Sequence, residues 1–204
     1  MQFHPYRWRL SGSFLAHLLK ATTQQHHQAL APTITRLVPS SAVVFDVGAY
    51  AGQYTKLFAR AASHGQVYAF EPGSYARSIL RTVVWLRGLS NVVVLPIALG
   101  SEVGLNTLTI PLKQSGSFGF GLSHLGKPLA HWHAVAQEIV ALATIEALAE
   151  NSVLSLSEGG SHNGVSPLIC IISRASVCQS GMPTTCGYAR QMARSCINTF
   201  WALH

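Results

Sequence analysis

The chain has 204 residues, a formal net charge of +7, 49% hydrophobic residues and only 10% charged residues. This composition is typical of a folded globular protein and excludes an intrinsically disordered chain. No apolar run approaches the roughly 18–20 residues of a membrane-spanning helix. The basic residues are scattered and form no nucleic-acid-binding signature, so we expect neither a membrane span nor a nucleic-acid partner.

The first 40 residues are predicted to be a helical lead-in to the domain. Their apolar patch, "FLAHLL", favours a helix packed on the domain, with a membrane-surface helix as the alternative. The patch is too short for a signal peptide and lacks a cleavage site, so we expect a cytoplasmic protein.

Residues 42–99 alternate between two kinds of pattern. Short apolar runs at 42–47, 66–72 and 91–99 predict buried strands, and amphipathic stretches at 52–63 and 74–89 predict helices. Strands and helices that alternate with short connections form a parallel sheet with right-handed crossovers. The expected fold class is therefore α/β, a doubly wound, mostly parallel sheet of the Rossmann-like kind.

The pattern changes after residue 99. Residues 105–112 predict a strand, and the Gly- and Ser-rich residues 113–128 predict a loop. "EIVALAT" predicts another strand, followed by a short helix that Thr144 can cap. We expect the domain to occupy residues 41–150.

The C-terminal part, 151–204, has little regular pattern. "PLICIIS" could form a strand, and the rest has no convincing period. All four cysteines lie in this part, but no two form a C-x-x-C pair, so they predict no metal site. Without a secretion signal they do not predict a disulfide either.

A polar motif follows the first predicted strand, in "VVFDVGAYAGQYTKLFARA". Asp46, the only aspartate of the chain, ends the strand, and Gly48 and Gly52 follow before the helix. Glycines permit a tight turn and close approach of a ligand at the carboxyl edge of a sheet. The second strand ends at Glu71, whose carboxylate suits the two hydroxyls of a ribose.

The glycine spacing argues against a nicotinamide dinucleotide, because V-G-A-Y-A-G departs from the G-x-G-x-x-G that admits a pyrophosphate. S-adenosylmethionine (SAM) carries positive groups and no pyrophosphate, so the acidic Asp46 suits it, directly or by ordering the loop. Two plainer interpretations remain open: Asp46 caps the following turn, and Glu71 is a surface glutamate.

The stretch "FDVGAYAGQYTKLFARAASHGQVYAFEPGSYARSILR" closely resembles the first half of FkbM-type SAM-dependent methyltransferases. "NVVVLPIALGSEVG" and "EIVALATIEALA" extend the resemblance over about residues 26–150. It implies methyl transfer from SAM, usually to a hydroxyl of a small molecule or sugar. The family's loop Asn is Tyr50 here, and the Asp of its T-L-D motif is Glu146. The implied cofactor-binding residues are Asp46, Gly48, Tyr50, Gly52 and Glu71.

The resemblance ends where the family has its acidic fourth strand, which a chain with a single Asp cannot contain. "PLICIIS" could occupy the vacant position in the sheet. One hypothesis is that 151–204 is translated out of frame, and the other is a genuine but divergent tail. The functional alternative is a catalytically defective, methyltransferase-like protein that at most binds SAM.

The sequence assigns no catalytic residue and no metal site. The candidate bases are histidines in or after the Gly-rich loop, each also interpretable as a solvated loop residue: His124, His131 and His133. Two serines of the loop, Ser117 and Ser123, are candidates for ligand contact.

Overall fold

The structure, a computed structural model, describes residues 12–112, 119–128, 132, 135–150 and 168–172. The helices in these ranges are α1 (Gly12–Thr23), α2 (Ala31–Leu37), α3 (Gln53–Ala61), α4 (Ser74–Leu86) and α5 (Ile145–Glu150). The strands are β1 (Val43–Val47), β2 (Gln66–Phe70), β3 (Val92–Leu95), β4 (Ile97–Leu99), β5 (Gly104–Pro111), β6 (His124–Leu125), β7 (Val135–Ala143) and β8 (Leu168–Ile172). None of the described helices is both long enough and apolar enough to cross a bilayer.

The first sheet is parallel throughout, with the strand order β3-β2-β1-β8. On one face, Leu57 of α3 shares a buried cluster with Val44 of β1. On the other face, Ile145 of α5 shares a buried cluster with Phe45. Helices therefore cover both faces of a parallel sheet, which confirms the predicted α/β, Rossmann-like fold class.

Strand β8 lies beside β1 in parallel register, from Val43 opposite Leu168 to Val47 opposite Ile172. Residues 168–172 of the "PLICIIS" run thus lie beside β1, at the vacant sheet position that the sequence suggested this run could occupy. The division of the chain at residue 150 stays a prediction.

The predicted single strand at 91–99 is wrong, because it divides at Pro96 into β3 and β4. Proline lacks the N–H that a continuous strand donates to its neighbour. The chain turns here from the first sheet into a second sheet, whose strand order is β4-β7-β5-β6. In this sheet β4 runs parallel to β7, while β5 is antiparallel to β6 and β7.

The described part of the predicted loop 113–128 is more regular than expected. Residues Phe120–Leu122 form a 3-10 turn, and β6 pairs with β5 through Leu108 opposite Leu125. Gly and Ser content predicted an irregular segment, and the pairing with a distant strand overrides that preference.

Two local features mark helix ends, and one of them, the Thr144 cap, was predicted. Gly88 follows the end of α4 with φ 60°, the left-handed conformation that commonly stops a helix. The hydroxyl of Thr144 accepts a hydrogen bond from the Ala147 N–H at 3.1 Å, which caps the start of α5.

Candidate functional site

The loop between β1 and α3 makes a tight turn at the carboxyl end of the first sheet. Gly48, Tyr50 and Gly52 have φ values of 74°, 51° and 81°, all in the left-handed region. The N–H groups of Gly48 and Ala49 donate to the carbonyl of Phe70 at 3.0 and 3.1 Å. The loop is therefore fixed to the end of β2 through its backbone.

Tyr50 is the one non-glycine residue in the left-handed region among the described residues. Asparagine, which the resemblance places here, adopts this conformation several-fold more readily than most residues. The loop therefore holds a tyrosine in a backbone conformation that tyrosine seldom adopts.

Asp46 is fully buried behind the loop. Its Oδ2 accepts a 2.6 Å hydrogen bond from the hydroxyl of Thr55, in the first turn of α3. A buried carboxylate must be paired to be tolerated, and this bond ties the end of β1 to the helix. Of the two SAM-related roles foreseen for Asp46, ordering the loop is therefore the one its position favours.

Glu71 is 8% exposed and lies at the carboxyl end of β2. Its Oε2 accepts the Tyr50 N–H at 2.8 Å, and its Oε1 accepts the Gly73 N–H at 2.9 Å. The interpretation of Glu71 as a plain surface glutamate is therefore wrong. The carboxylate is held by the loop on one side and by the start of α4 on the other.

A cleft of about 500 Å³, counting the space open to solvent at its mouth, runs between the two sheets. The side of the cleft that the first sheet and its loops contribute is called the first wall. It is formed by Val47, Gly48, Tyr50, Phe70, Glu71 and Pro72. We call the opposite side the second wall, formed by Ile97, Ala98, Leu99, Leu108, Phe120, Ser123 and Leu125.

The structure divides the sequence-predicted site residues into two groups. Gly48, Tyr50 and Glu71 line the cleft, whereas Asp46 and Gly52 are buried behind it. The motif thus contains residues that line the cleft and residues that are buried behind it.

An aromatic group at the cleft was not predicted from the sequence. The rings of Tyr75 and Phe120 stack in parallel with their centroids 3.7 Å apart, and Phe120 lines the cleft. His17 of α1 hydrogen-bonds the Tyr75 hydroxyl through Nδ1 at 2.7 Å. Burial, with a smaller contribution from Tyr50, raises the pKa of Tyr75 to about 12. Helix α1 therefore supports the cleft indirectly, through Tyr75.

A buried lysine was also missed. Lys56 of α3 is 1% exposed, and its Nζ donates to the carbonyls of Ala21 and Gln24, at 2.7 and 2.8 Å. These carbonyls lie at the end of α1, where a cation is favourable. Burial, followed by the nearby Arg87 and Arg60, lowers the pKa of Lys56 to about 8. In the sequence, Lys56 looks like an ordinary solvent-exposed lysine of a helix. Only the fold shows that it binds the end of α1 to α3.

Glu138 connects the second sheet to the first. Its carboxylate oxygens accept the Ser74 N–H at 2.9 Å and the Ser74 hydroxyl at 2.7 Å, at the start of α4. Nearby, Arg77 donates to the carbonyls of Glu71 and Pro72. Burial lowers the pKa of Arg77, and the carboxylates of Glu138 and Glu71 oppose that shift.

The interpretation of His124 as a solvated loop histidine is wrong, since it is 5% exposed. Its Nε2 bonds the carbonyl of Lys127 at 2.8 Å, and its ring lies 4.9 Å from that of Trp132. It pairs with Thr109 on the face of the second sheet opposite to Leu125, which lines the cleft. His124 is therefore turned away from the candidate site.

Ser123 is the one loop candidate that the structure places in the cleft, where its hydroxyl donates to the Phe120 carbonyl at 2.8 Å. His131, His133 and Ser117 lie outside the described residues. Within the described ranges, no group of three or more His, Cys, Asp or Glu side chains could hold a metal ion.

No protein-family model and no curated protein matches the sequence. Among solved structures, the chain is similar to a candidate O-methyltransferase from Klebsiella pneumoniae, with 19% identity, a TM-score of 0.33 and coverage of 41% of this chain and 40% of that one. An rRNA methylase from Streptococcus thermophilus shows 17% identity, a TM-score of 0.31 and coverage of 37% and 41%. A precorrin-6y C5,15-methyltransferase from Geobacter metallireducens shows 12% identity, a TM-score of 0.33 and coverage of 60% and 89%.

This chain spans less than half the length of the first two structures, 40% and 41%. At these identities the likeness concerns the fold alone.

Proposed function

We propose that this chain is a SAM-dependent methyltransferase of the FkbM type, which transfers a methyl group to a hydroxyl of a small molecule or sugar. The observation that carries the proposal is the placement of Glu71. Its carboxylate lines the cleft at the end of β2 and is oriented by the N–H groups of Tyr50 and Gly73. That is the position from which an acidic residue binds a ribose in Rossmann-like folds.

The residues of the first wall fit SAM chemically. A carboxylate is an acceptor that suits ribose hydroxyls, and the N–H groups of Tyr50 and Gly73 hold Glu71 at the cleft. The first wall contains no Lys or Arg side chain, and its acid is suited to a ligand with positive groups and no pyrophosphate. Gly48 brings bare backbone to the cleft surface, which admits a ligand closely.

When bound, SAM supplies an electrophilic methyl group on a positively charged sulfur. The chain's own contribution is to position and enclose. Glu71 accepts hydrogen bonds, the Gly48–Gly52 turn shapes the first wall, and the apolar second wall excludes water. Asp46 and Thr55 keep the turn in place from behind.

A second candidate function is a methyltransferase-like protein that binds SAM without turning it over. The lining of the described cleft supports it, because this lining contains no histidine or lysine to accept the acceptor's proton. Glu71 and Tyr50 are its only titratable side chains, and both belong to the cofactor side. Binding and turnover therefore need separate measurements.

The test of the cofactor assignment is calorimetric titration of the full chain with SAM. Glu71→Gln keeps the shape of the side chain but removes its charge and one acceptor. We expect the affinity for SAM to fall by about 5- to 150-fold, equivalent to the ~1–3 kcal/mol of a charged hydrogen-bond network. Turnover is followed in parallel as S-adenosylhomocysteine released in the presence of candidate alcohols.

Glu102→Gln is the matched control, because it removes the same charge from an exposed glutamate in the turn before β5. Its affinity should equal that of the unaltered chain. The proposal fails if the unaltered chain does not bind SAM, if both variants lose equal affinity, or if NAD binds more tightly than SAM. Thermal unfolding of each variant separates lost contacts from lost structure.

A further inference from the structure

The two walls of the cleft differ in chemistry. The first wall combines the apolar Val47, Phe70 and Pro72 with Gly48, Tyr50 and the carboxylate of Glu71, whereas six of the seven residues of the second wall are apolar. The exception is Ser123, whose hydroxyl hydrogen is directed at the Phe120 carbonyl. Its oxygen can still accept one hydrogen bond from a ligand.

The second wall is continuous with a buried apolar cluster and is not an isolated patch. Ala98, Leu108 and Leu125 share a buried cluster with Ile110 and Val140, on the inner face of the second sheet. The pairing of Leu108 with Leu125 fixes this face toward the cleft. A ligand against it exchanges water for aliphatic carbon, which favours apolar surface by about 25 cal/mol per Å².

Among the described residues, no Lys or Arg side chain lines the cleft. The exposed ones are Lys20 of α1, Arg36 of α2, Arg60 of α3, Arg81 of α4, Arg87 at the end of α4, and Lys127, which follows β6. Lys56 is bound to carbonyls of α1, and Arg77 to carbonyls of Glu71 and Pro72. A phosphate in the cleft would meet the carboxylate of Glu71, and no cation of the described lining would offset its desolvation.

A polyhydroxylated acceptor fits the second wall poorly as well. Each sugar hydroxyl that leaves water needs a partner, and one that finds none costs about 1–3 kcal/mol. The described second wall offers the Ser123 oxygen as its side-chain acceptor.

We propose that the second wall selects an uncharged, largely apolar acceptor with a hydroxyl, such as an alcohol or phenol on a ring system, and rejects phosphorylated acceptors. This inference rests on the proposed function for the identity of the reaction. It narrows the acceptor from any small molecule or sugar to an apolar hydroxy compound, and it places RNA outside the cleft despite the positive net charge.

The experiment compares two fluorescent probes of the same shape, 2-naphthol and 2-naphthyl phosphate, by titration of the full chain with and without saturating S-adenosylhomocysteine. We expect 2-naphthol to bind at least about tenfold more tightly than its phosphate ester, because burying the unpaired dianion is costly. We also expect S-adenosylhomocysteine to leave 2-naphthol bound, since the two occupy different walls.

Matched variants locate the binding surface. Leu108→Ser lies on the second wall, and Leu105→Ser lies on the same strand but on its opposite, 75% exposed side. The first should weaken 2-naphthol binding by about 5- to 10-fold through lost apolar contact, and the second should leave it unchanged. Phe120→Ser, at a half-buried position, repeats the test if Leu108→Ser fails to fold.

Several outcomes would overturn the inference: absent 2-naphthol binding, equal or tighter binding of the phosphate ester, or equal losses in Leu108→Ser and Leu105→Ser. Displacement of 2-naphthol by S-adenosylhomocysteine would assign the second wall to the cofactor's own adenine. Failure of the proposed function looks different, because SAM and S-adenosylhomocysteine would then not bind while the preference for 2-naphthol persists.

Discussion

The two sheets of this protein contribute to one cleft through different kinds of interaction. The first unit, β1 to β3 with α3 and α4, is fixed around the cleft by polar bonds such as Asp46–Thr55 and Glu71–Tyr50. The second sheet meets the cleft with the side chains of Leu108 and Leu125 and contributes no charge to its lining. The contrast indicates that one side of the site depends on exact backbone placement, and the other on the amount of apolar surface.

The largest expected loss of stability comes from a substitution that disturbs the backbone geometry of the first unit. In Gly52→Ala the new methyl group would lie 2.8 Å from Cδ1 of the fully buried Leu80, at a φ of 81°. Left-handed strain of about 1–2 kcal/mol and overpacking of about 1–3 kcal/mol should together lower the free energy of unfolding by about 3 kcal/mol. Urea denaturation followed by circular dichroism measures this loss.

Gly88→Ala is its control, because Gly88 has φ 60° but no atom within 4 Å of the added methyl group. It should cost only the backbone strain, about 1–2 kcal/mol. Equal losses in the two variants would contradict the steric contribution of Leu80.

The next effect concerns pH and the buried ammonium of the first unit. Because the pKa of Lys56 is lowered to about 8, the folded chain loses this proton before the unfolded chain, in which the lysine has its ordinary pKa of 10.5. Between pH 8 and 10 the unfolded state binds more protons, so the free energy of unfolding should rise with pH, by about 2 kcal/mol. Above pH 10 the raised pKa of Tyr75 acts in the opposite direction, because the unfolded chain loses the tyrosine proton first. The free energy of unfolding should therefore fall again.

Urea midpoints between pH 7 and 10 check this prediction. Lys56→Met should flatten the rise, since it removes the titrating group, while Tyr75→Phe should retain it. A stability that declines steadily from pH 7 to 10 in the unaltered chain would refute the assignment.

The smallest effect tests the link between the two regions. Glu138 of β7 accepts two hydrogen bonds from Ser74 at the start of α4, where negative charge is favourable. Glu138→Gln should lower the free energy of unfolding by about 1 kcal/mol, by loss of the charge and one acceptor. The exposed Glu102→Gln should change it by less than about 0.5 kcal/mol in the same thermal or urea unfolding experiment.

The parts of the fold that follow from local rules were predictable from sequence. Gly48, Gly52 and Gly88 mark turns because their left-handed backbone requires glycine, and Thr144 marks a helix start because its hydroxyl caps an N–H. Glu71 was placed correctly at the carboxyl edge because parallel strands deliver their ends to one edge of a sheet.

The features that sequence reasoning missed depend on distant partners. Nothing near Lys56 in the sequence reveals that carbonyls at the end of α1 receive its ammonium. The burial of His124 depends on Trp132 and on pairing with Thr109. Pro96 was a local signal that was available, and it should have divided the predicted strand at 91–99.

The position of β8 bears on how the protein folds during synthesis. Strand β1 has β2 as a neighbour after a short connection, but its other neighbour starts at Leu168. A ribosome must therefore produce most of the chain before β1 is paired on both edges, and pairing over such sequence separations is slow. During that interval a strand edge of Val43–Val47 is open to other chains, so the nascent protein is most vulnerable to aggregation before its final third has been made.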